Sequence, residues 1–340
     1  MRWRRLWVAL LLLPSLGGCS GIQTSLGGDG ADGASFIRLF TIFLVVCGIM
    51  YLLVVAALAV AIGRRRDGGR RALTVDNGSH HESSPLVRSA LVGWGALIAV
   101  GLIALTIASF FTDRSAAARA RHSSFAVKII ANQWWWDVIY TTPDSSKIVH
   151  TANELHLPVG VEAEVELQSN DVIHSFWVPN LAGKQDLIPG RTTDIQLLPT
   201  RTGLYRAQCA EFCGTQHANM ALVVTVESKA DFLNWIAQQR RPAFAPASPL
   251  ELAGYRYVTT RECSSCHNIT GTPAGGQIGP DLTHLASRRT LAAGTLPMNR
   301  GNLYGWVADP QSQKPGSQMP TIGLAPNDLH AVVAYLERLK

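Results

Sequence analysis

The chain has 340 residues, of which 47% are hydrophobic and only 16% are charged, and its formal net charge is +6. A charged fraction below the roughly 25% that is usual for soluble domains indicates segments that face lipid. The positive excess lies in the N-terminal part and the region after it is acidic, which argues against a nucleic-acid-binding protein with a basic soluble domain.

Residues 1–19 predict a secretory signal peptide of the lipoprotein type. Three arginines precede the apolar run Leu6–Leu13, and small residues then precede Cys19. This order of charged, apolar and small residues is typical of an exported leader. Cys19 is the predicted site of a lipid anchor, and the alternative is an ordinary signal peptide with an incidental cysteine.

Two uncharged apolar runs predict a transmembrane hairpin over residues 36–112. Leu39–Ile62 and Ser89–Phe111 are each long enough, at about 1.5 Å per residue, to cross a hydrocarbon core of roughly 30 Å. Neither run has a polar face, which argues against helices buried in a soluble protein. The arginine-rich loop between them, Arg64–Arg71, is expected in the cytoplasm. We therefore predict a multi-pass protein of the bacterial cytoplasmic membrane, in contact with lipid, whose later domains lie on the outer face.

Residues 122–230 predict an all-β sandwich. Ala126–Tyr140 is rich in β-branched and aromatic residues, and Val161–Gln168 alternates apolar with polar residues as a half-buried strand does. Further strand-like segments are Asp194–Leu198, Gly203–Gln208 and Met220–Val226. Several short strands without a long amphipathic helix between them are typical of a sandwich.

A group of soft metal ligands lies near the end of this region. Its members are Cys209, Cys213, His217 and Met220. Two thiolates, an imidazole and a thioether suit copper, whereas zinc has little use for methionine. One loop cannot surround a metal, so a further ligand is expected from another strand, and His174 is the candidate. A disulfide and a zinc site are the alternatives.

Residues 251–340 predict a small all-α domain with covalently bound haem. Cys263-Ser-Ser-Cys266-His267 is the c-type haem attachment signature, in which two thioethers hold the porphyrin and the histidine reaches the iron. The alternative is a redox dithiol, which would favour a βαβ context that this segment lacks.

Two further patterns delimit this domain. Residues 231–250 contain a stretch rich in Pro and Ala, which predicts a semi-rigid linker. Near the end of the sequence, apolar residues at helical spacing predict an amphipathic helix. These residues are Leu329, Val332, Val333 and Leu336.

The order of features over about residues 36–230 resembles subunit II of cytochrome c oxidase. Two membrane helices precede the segment Gln133-Trp134-Trp135-Trp136, which is followed by His174 and the cysteine loop. The resemblance implies a cupredoxin-like domain with a binuclear copper centre, copper A, whose two ions share both cysteine sulfurs and bind one histidine each.

The resemblance also assigns the ligands by position. They are His174, Cys209, the backbone carbonyl of Glu211, Cys213, His217 and Met220. The family uses the side chain of the same glutamate for magnesium at the border with subunit I, so a magnesium ion at Glu211 is expected. The second membrane helix lacks the Glu-x-x-Trp-Thr-x-x-Pro pattern of the family, and no proton-channel role is inferred.

The tryptophan segment also has a role in the family, which places there a tryptophan that receives electrons. Trp134 matches it best. Alternation along the strand predicts Trp134 and Trp136 on one face and Trp135 on the other. We interpret Trp135 and Trp136 as core or interfacial aromatic residues.

The C-terminal region resembles a class I cytochrome c. The segment that begins Gly279-Pro280 matches the family loop whose proline carbonyl orients the haem histidine. The family usually adds a methionine sulfur as the second axial ligand. Met319 stands between prolines just before the final helix, as the family ligand does, whereas Met298 lies in an earlier polar connection.

The whole architecture resembles subunit II of a caa3-type oxidase. The resemblance implies a subunit through which electrons enter a proton-pumping oxidase, from a donor through haem c and copper A to haem a of subunit I, where oxygen is reduced to water. Cytochrome c or an upstream quinol–cytochrome c reductase would be the donor, and other oxidase subunits would be partners. The alternatives are a stand-alone membrane-anchored electron carrier and nitrous oxide reductase, whose copper motif is shared but which the two membrane helices disfavour.

Overall fold

The computed structural model describes residues 21–67, 85–119 and 125–340, apart from 143, 145 and 146. The predicted signal peptide with Cys19, and the second half of the arginine-rich loop, lie outside the described residues. The chain divides into two compact units. One is Ser35–Arg119, and the other combines Met1–Ala34 with Ala120–Lys340.

Two long apolar helices account for the first unit. Helix α1 covers Ala31–Asp67 and helix α2 covers Pro85–Arg119. Their stretches Ala31–Gly63 and Val87–Arg114 are long and apolar enough to cross a membrane, and the most apolar window of each is unburied within the chain. A core helix of a soluble protein buries an apolar stripe instead. The prediction of two membrane helices is confirmed, and both helices extend past the uncharged runs into the flanking polar residues.

The strands of the second unit begin directly after the undescribed residues 120–124. In chain order they are β1 Phe125–Asn132, β2 Trp135–Thr141, β3 Val149–Ala152, β4 Glu154–Pro158, β5 Ala163–Ser169, β6 His174–Trp177, β7 Lys184–Leu187, β8 Thr193–Leu197, β9 Gly203–Cys209 and β10 Ala221–Glu227. They form two five-stranded sheets, in the orders β3-β2-β1-β5-β8 and β4-β10-β9-β6-β7. Apolar side chains between the sheets form one core. The predicted all-β sandwich is confirmed.

Strand β5 shows why the alternation of apolar and polar residues predicts a half-buried strand. Ala163, Val165 and Leu167 are fully buried, whereas the residues between them face outward. Because side chains of a strand alternate between its two faces, this register places every apolar residue in the core.

Helix α3, Lys229–Gln239, packs on the sandwich. Ser228 caps it by accepting a hydrogen bond from the Asp231 backbone N–H. Phe232 and Ile236, one helical turn apart, join the sandwich core. The segment predicted as a linker over 231–250 therefore begins inside a helix, and the extended stretch that follows is confined to residues 241–247. We call residues 125–239 the sandwich domain.

Residues 249–340 form the helical domain. Its helices are α4 Pro249–Thr260, α5 Cys263–Cys266, α6 Arg300–Ala308, α7 Pro310–Gln313 and α8 Pro326–Leu336. Helix α8 buries all four apolar residues predicted for its inner face. It lies against α4 so closely that a Cβ at Gly254 would overlap the Ala331 carbonyl. The predicted all-α C-terminal domain is confirmed, with one short two-stranded ribbon added, Thr290–Leu291 with Leu296–Pro297.

Candidate metal and haem sites

The register of two strands brings the distant histidine to the cysteine loop. Strand β6 begins at His174 and pairs antiparallel with β9, so that Phe176 lies opposite Cys209. The Ala210 backbone N–H donates to the Ser175 carbonyl at 2.9 Å, which continues the pairing past the end of β9. His174 therefore enters the site from a neighbouring strand. This is the position expected of a further ligand, because one loop cannot surround a metal.

Both cysteine sulfurs have an imidazole beside them. The Sγ atoms of Cys209 and Cys213 are 3.7 Å apart. The Nδ1 atom of His174 lies 3.8 Å from the Cys209 sulfur, and Nδ1 of His217 lies 3.6 Å from the Cys213 sulfur. A disulfide requires a sulfur separation of about 2.05 Å, so the disulfide alternative is not formed here.

The two weaker predicted ligands follow the same pairing. The carbonyl oxygen of Glu211 lies 3.3 Å from the Cys209 sulfur, and the Met220 sulfur lies 3.9 Å from the Cys213 sulfur. All six groups that the sequence nominates thus meet in one place. Thiolate, thioether and imidazole donors in a largely buried setting fit copper.

Glu211 contributes only its backbone to this cluster. Its side chain is exposed. Among the described residues, the single group of three or more His, Cys, Asp or Glu side chains placed to hold a metal is His174, Cys209 and Cys213. The magnesium role of the Glu211 carboxylate stays a prediction.

The electrostatics around the cysteines favour one shared proton. The hydrogen bond that joins the two cysteine sulfurs lowers the pKa of Cys209 to about 3, and the same contact, together with burial, raises the pKa of Cys213. Burial lowers the pKa of His174, but hydrogen bonds to Cys209 and Asp171 outweigh burial and raise it. Since Nε2 of His174 lies 2.8 Å from Asp171 Oδ1, the imidazole is held with Nδ1 toward the sulfur.

The haem attachment residues surround a cavity of about 540 Å³. Cys263, Cys266 and His267 line it, and so does Met319. A volume of this size lies within the range that small-molecule and cofactor sites occupy. The Nε atom of Arg288, a buried residue of the cavity wall, has no hydrogen-bond partner among the described residues. The Glu154 carboxylate lies 3.8 Å from this atom, so a haem propionate bound here would share the arginine with Glu154.

His267 is oriented from behind by the predicted proline. Its Nδ1 donates to the Pro280 carbonyl at 2.7 Å. Burial lowers the pKa of His267, although this hydrogen bond opposes the shift. A Cβ at Gly279 would lie 2.7 Å from the imidazole Cε1, so glycine leaves the ring the room it needs. The neutral imidazole therefore turns Nε2 away from the Pro280 loop, as haem ligation requires.

The two candidate methionines occupy different environments. Met319 lines the cavity, and the Gln311 side chain holds its loop by donating to the carbonyls of Met319 and Ser317 at 2.7 and 2.8 Å. Met298 is half-buried and packs against the apolar core of the helical domain.

Trp134 occupies a turn, which corrects one prediction. Strands β1 and β2 are paired antiparallel up to Asn132 and Trp135, so Gln133 and Trp134 form the connection between them. The expected alternation over a single strand is therefore wrong for Trp134. Of its neighbours, Trp136 is a fully buried core residue, whereas Trp135 lines the haem cavity.

The turn brings Trp134 to both sites. The indole Nε1 donates to the Cys213 carbonyl at 2.9 Å, and the Gln133 side chain donates to the same carbonyl at 2.7 Å. Trp134 also lines the haem cavity. One residue of the sandwich domain thus contacts the copper loop and the wall of the haem cavity.

Sequence reasoning missed three residues that the structure connects to these sites. Asp171 stands three residues before His174, and a carboxylate so close to a metal-ligating histidine is a recognisable signal for an orienting residue. Gln133 preceded the quoted tryptophans without being assigned a role. Lys314, which is 2% exposed, carries no local signal, because a lysine beside Pro-Gly is typical of a surface turn.

Comparison with known proteins identifies the same two parts. Residues 141–227 match the family described as cytochrome c oxidase subunit II, periplasmic domain, and residues 252–340 match the cytochrome c family. A cytochrome c oxidase subunit 2 of Alkalihalophilus pseudofirmus is 31% identical over 245 residues, which are 72% of this chain and 70% of the relative. The chain belongs to the cytochrome c oxidase subunit II family.

Two further similarities are found. The cytochrome c oxidase subunit 2 of Bacillus subtilis is 29% identical over 232 residues, which cover 65% of this chain and 64% of the relative. A crystal structure of the periplasmic domain of subunit II from Bradyrhizobium japonicum is 28% identical and covers 35% of this chain and 95% of that chain, with a TM-score of 0.33.

Family membership fixes the coarse function. With its cytochrome c domain, the chain fits a subunit II of the caa3 type and is a component of a terminal oxidase, which implies subunit I as a partner. The two domain families imply copper and haem c in general. A stand-alone carrier and nitrous oxide reductase are no longer favoured.

Proposed function

We propose that this chain is the subunit through which electrons enter a proton-pumping oxidase, from a donor through haem c and a binuclear copper A centre to haem a of subunit I. The observation that carries the proposal is the position of Trp134. It lines the haem cavity and donates a hydrogen bond to the carbonyl of Cys213. The two candidate centres are therefore joined by one side chain.

We assign the copper ligands as Cys209, Cys213, His174, His217, Met220 and the backbone carbonyl of Glu211, which together would hold the copper pair. Support comes from the distances of 3.3 to 3.9 Å between the cysteine sulfurs and the other four groups. Asp171 would fix the His174 ring through Nε2.

We assign Cys263 and Cys266 as the residues that would hold the haem through thioether bonds, and His267 and Met319 as the residues that would bind its iron. Support comes from the shared cavity and from the Pro280 carbonyl that holds His267. Arg288, whose Nε also pairs with the Glu154 carboxylate at 3.8 Å, would receive a propionate. When bound, the haem and the copper pair supply one-electron carriers of adjustable potential.

The protein residues would then hold the two carriers near each other and exclude water from the space around them. The walls of the cavity come from both domains, including Trp134 and Trp135 on one side and Leu303 on the other. Closely packed aromatic and aliphatic walls exclude water and hold their geometry during the reaction. We further propose that both domains lie outside the cytoplasmic membrane, with a lipid anchor at Cys19, and that cytochrome c or a quinol–cytochrome c reductase is the donor.

Replacing Trp134 tests the proposed path. In a Trp134→Phe variant, the hydrogen bond to the Cys213 carbonyl is lost while most of the cavity wall remains. We expect electron exchange between haem and copper to slow by about tenfold or more, since small changes in positioning have large kinetic effects. Trp177→Phe, a half-buried tryptophan in β6, is the matched control. Equal rates in both variants would contradict a relay at Trp134.

A further inference from the structure

Lys314 is a buried lysine at the contact between the sandwich and helical domains. It is 2% exposed, and no salt bridge within the described residues involves it. Its Nζ donates to the carbonyls of Trp134 at 2.8 Å, Asn219 at 2.7 Å and Ala292 at 3.0 Å. An ammonium group has three donors, so the three carbonyls satisfy it completely.

These three carbonyls belong to both domains and lie beside both candidate sites. Trp134 contacts the copper loop and the haem cavity, and Asn219 immediately precedes the candidate ligand Met220. Ala292 belongs to the helical domain and also lines the cavity. Lys314 itself lies in the segment that leads to Met319. A single side chain therefore joins the backbone of both sites.

The helical domain adopts an unusual backbone to make this contact. Ala292 and Ala293 have φ angles of 51° and 58°, a left-handed conformation that residues with a Cβ rarely adopt and that persists only where surrounding contacts sustain it. The Ala292 carbonyl accepts from Lys314, and the Ala293 carbonyl accepts from the Ala221 backbone N–H at 2.9 Å. The Ala293 contact crosses to the sandwich domain, whereas the Ala292 contact with Lys314 stays within the helical domain.

A neighbouring contact fixes the same segment. The buried Gln216 side chain, in the copper loop, donates to the Pro315 carbonyl at 2.8 Å. The residue directly after Lys314 is therefore also bound to the sandwich domain. Burying an ammonium group is unfavourable unless its hydrogen bonds are complete, so filling space alone would favour an apolar side chain at this position.

We propose that Lys314 is a positioning residue that fixes the helical domain on the sandwich domain and thereby holds the haem cavity at a constant separation from the copper ligands. The inference rests on the proposed function, because a constant separation of the two sites matters only if electrons pass between them. The two can still be tested separately. The spectra of the bound copper and haem test the proposed function, whereas the accessibility of Lys314 tests its role as a positioning residue.

The first test uses the unaltered, fully loaded protein. Amine acylation followed by peptide mass analysis compares Lys314 with the exposed Lys184. We expect Lys184 to react rapidly and Lys314 to react at least tenfold more slowly, because all donors of Lys314 are engaged inside the interface. Equal labelling of the two lysines would overturn the proposal, and this result does not depend on whether any variant folds.

The second test replaces the lysine by an unbranched apolar residue. In Lys314→Met, we expect both centres to stay bound and to keep their spectra, while haem-to-copper electron exchange slows by about tenfold or more and protease cuts the 241–247 segment faster. Lys184→Met is the matched control and is expected to behave as the unaltered protein. Unchanged exchange and cleavage in Lys314→Met would overturn the positioning role, as would an equal change in both variants.

Discussion

The copper site and the haem site are assembled in different ways. The candidate copper ligands already contact one another, with sulfur-centred distances of 3.3 to 3.9 Å, and all of them belong to the sandwich domain. The candidate haem ligands instead surround a cavity of about 540 Å³, part of whose wall comes from the other domain. The copper site therefore depends on strand register, and the haem site depends on the docking of two domains.

The largest effect is expected from a substitution in the copper site. In Cys209→Ser, one shared sulfur is lost, and two ions can no longer be held equivalently. We expect the bound copper and its delocalised spectrum to be lost while haem attachment is retained, as measured by metal analysis and electron paramagnetic resonance. The matched control is Cys47→Ser, which changes an exposed cysteine of helix α1. A normal copper spectrum in Cys209→Ser would exclude Cys209 as a bridging ligand.

The next effect concerns the haem side. In Met319→Ala, we expect the sulfur-to-iron charge-transfer absorption to disappear and the haem potential to fall, while both thioether bonds remain. Met298→Ala should keep this absorption and lose about 2 kcal/mol of stability, because its side chain packs in the core. The opposite result for the two variants would show that Met298 is the ligand.

An intermediate effect tests how the copper ligands are oriented. Asp171→Asn weakens the contact that holds His174 Nε2 at 2.8 Å. Substitutions of such orienting residues typically reduce metal affinity by about 10- to 100-fold, and we expect a loss of that size in copper titrations. Asp194→Asn, an exposed residue of β8, is the control. If both variants bind copper equally, Asp171 does not orient the site.

The smallest effect is expected from His156, whose substitution should change stability and leave both sites intact. His156 stacks on Trp235 with ring centroids 4.0 Å apart, and its Nδ1 lies 2.8 Å from Glu227. Burial lowers the pKa of His156, but hydrogen bonds to Glu154 and Glu227 outweigh it and raise the pKa above the ordinary value of 6.5. The stability from this group is therefore complete below pH 6.5 and is lost as the pH rises through the folded-state pKa.

A His156→Phe variant isolates that contribution, because phenylalanine keeps the stacking and cannot be protonated. We expect the variant to be less stable than the unaltered protein at low pH, with a gap that narrows as the pH rises above 6.5. Thermal unfolding followed across this range measures the gap. A difference that does not vary with pH would show that the His156 charge contributes nothing.

The sequence predicted what depends on short patterns. Alternation located β5, helical spacing located the inner face of α8, and uncharged length located both membrane helices. Ligand type and spacing nominated all the side chains that meet around the two cysteine sulfurs. The fold class was predicted because alternation, helical spacing and uncharged length each report the local environment of a segment.

The remaining features depend on contacts that are distant in sequence. The turn at Trp134 was missed because an apolar, aromatic run resembles one continuous strand, and only the pairing of Asn132 with Trp135 separates β1 from β2. Most of helix α3 was assigned to a linker because just two of its residues are buried. The role of Lys314 depends on carbonyls 180 and 95 residues away, which no local pattern reveals.

The central claim is that the two sites form one path for electrons within this chain. It is tested most directly by reducing the haem of the purified, loaded protein with a rapid one-electron pulse and following the haem and copper absorption bands together. We predict that the haem is reoxidised as the copper is reduced, with one rate that does not depend on protein concentration. A haem that stays reduced beside oxidised copper, or a rate proportional to concentration, would contradict the account.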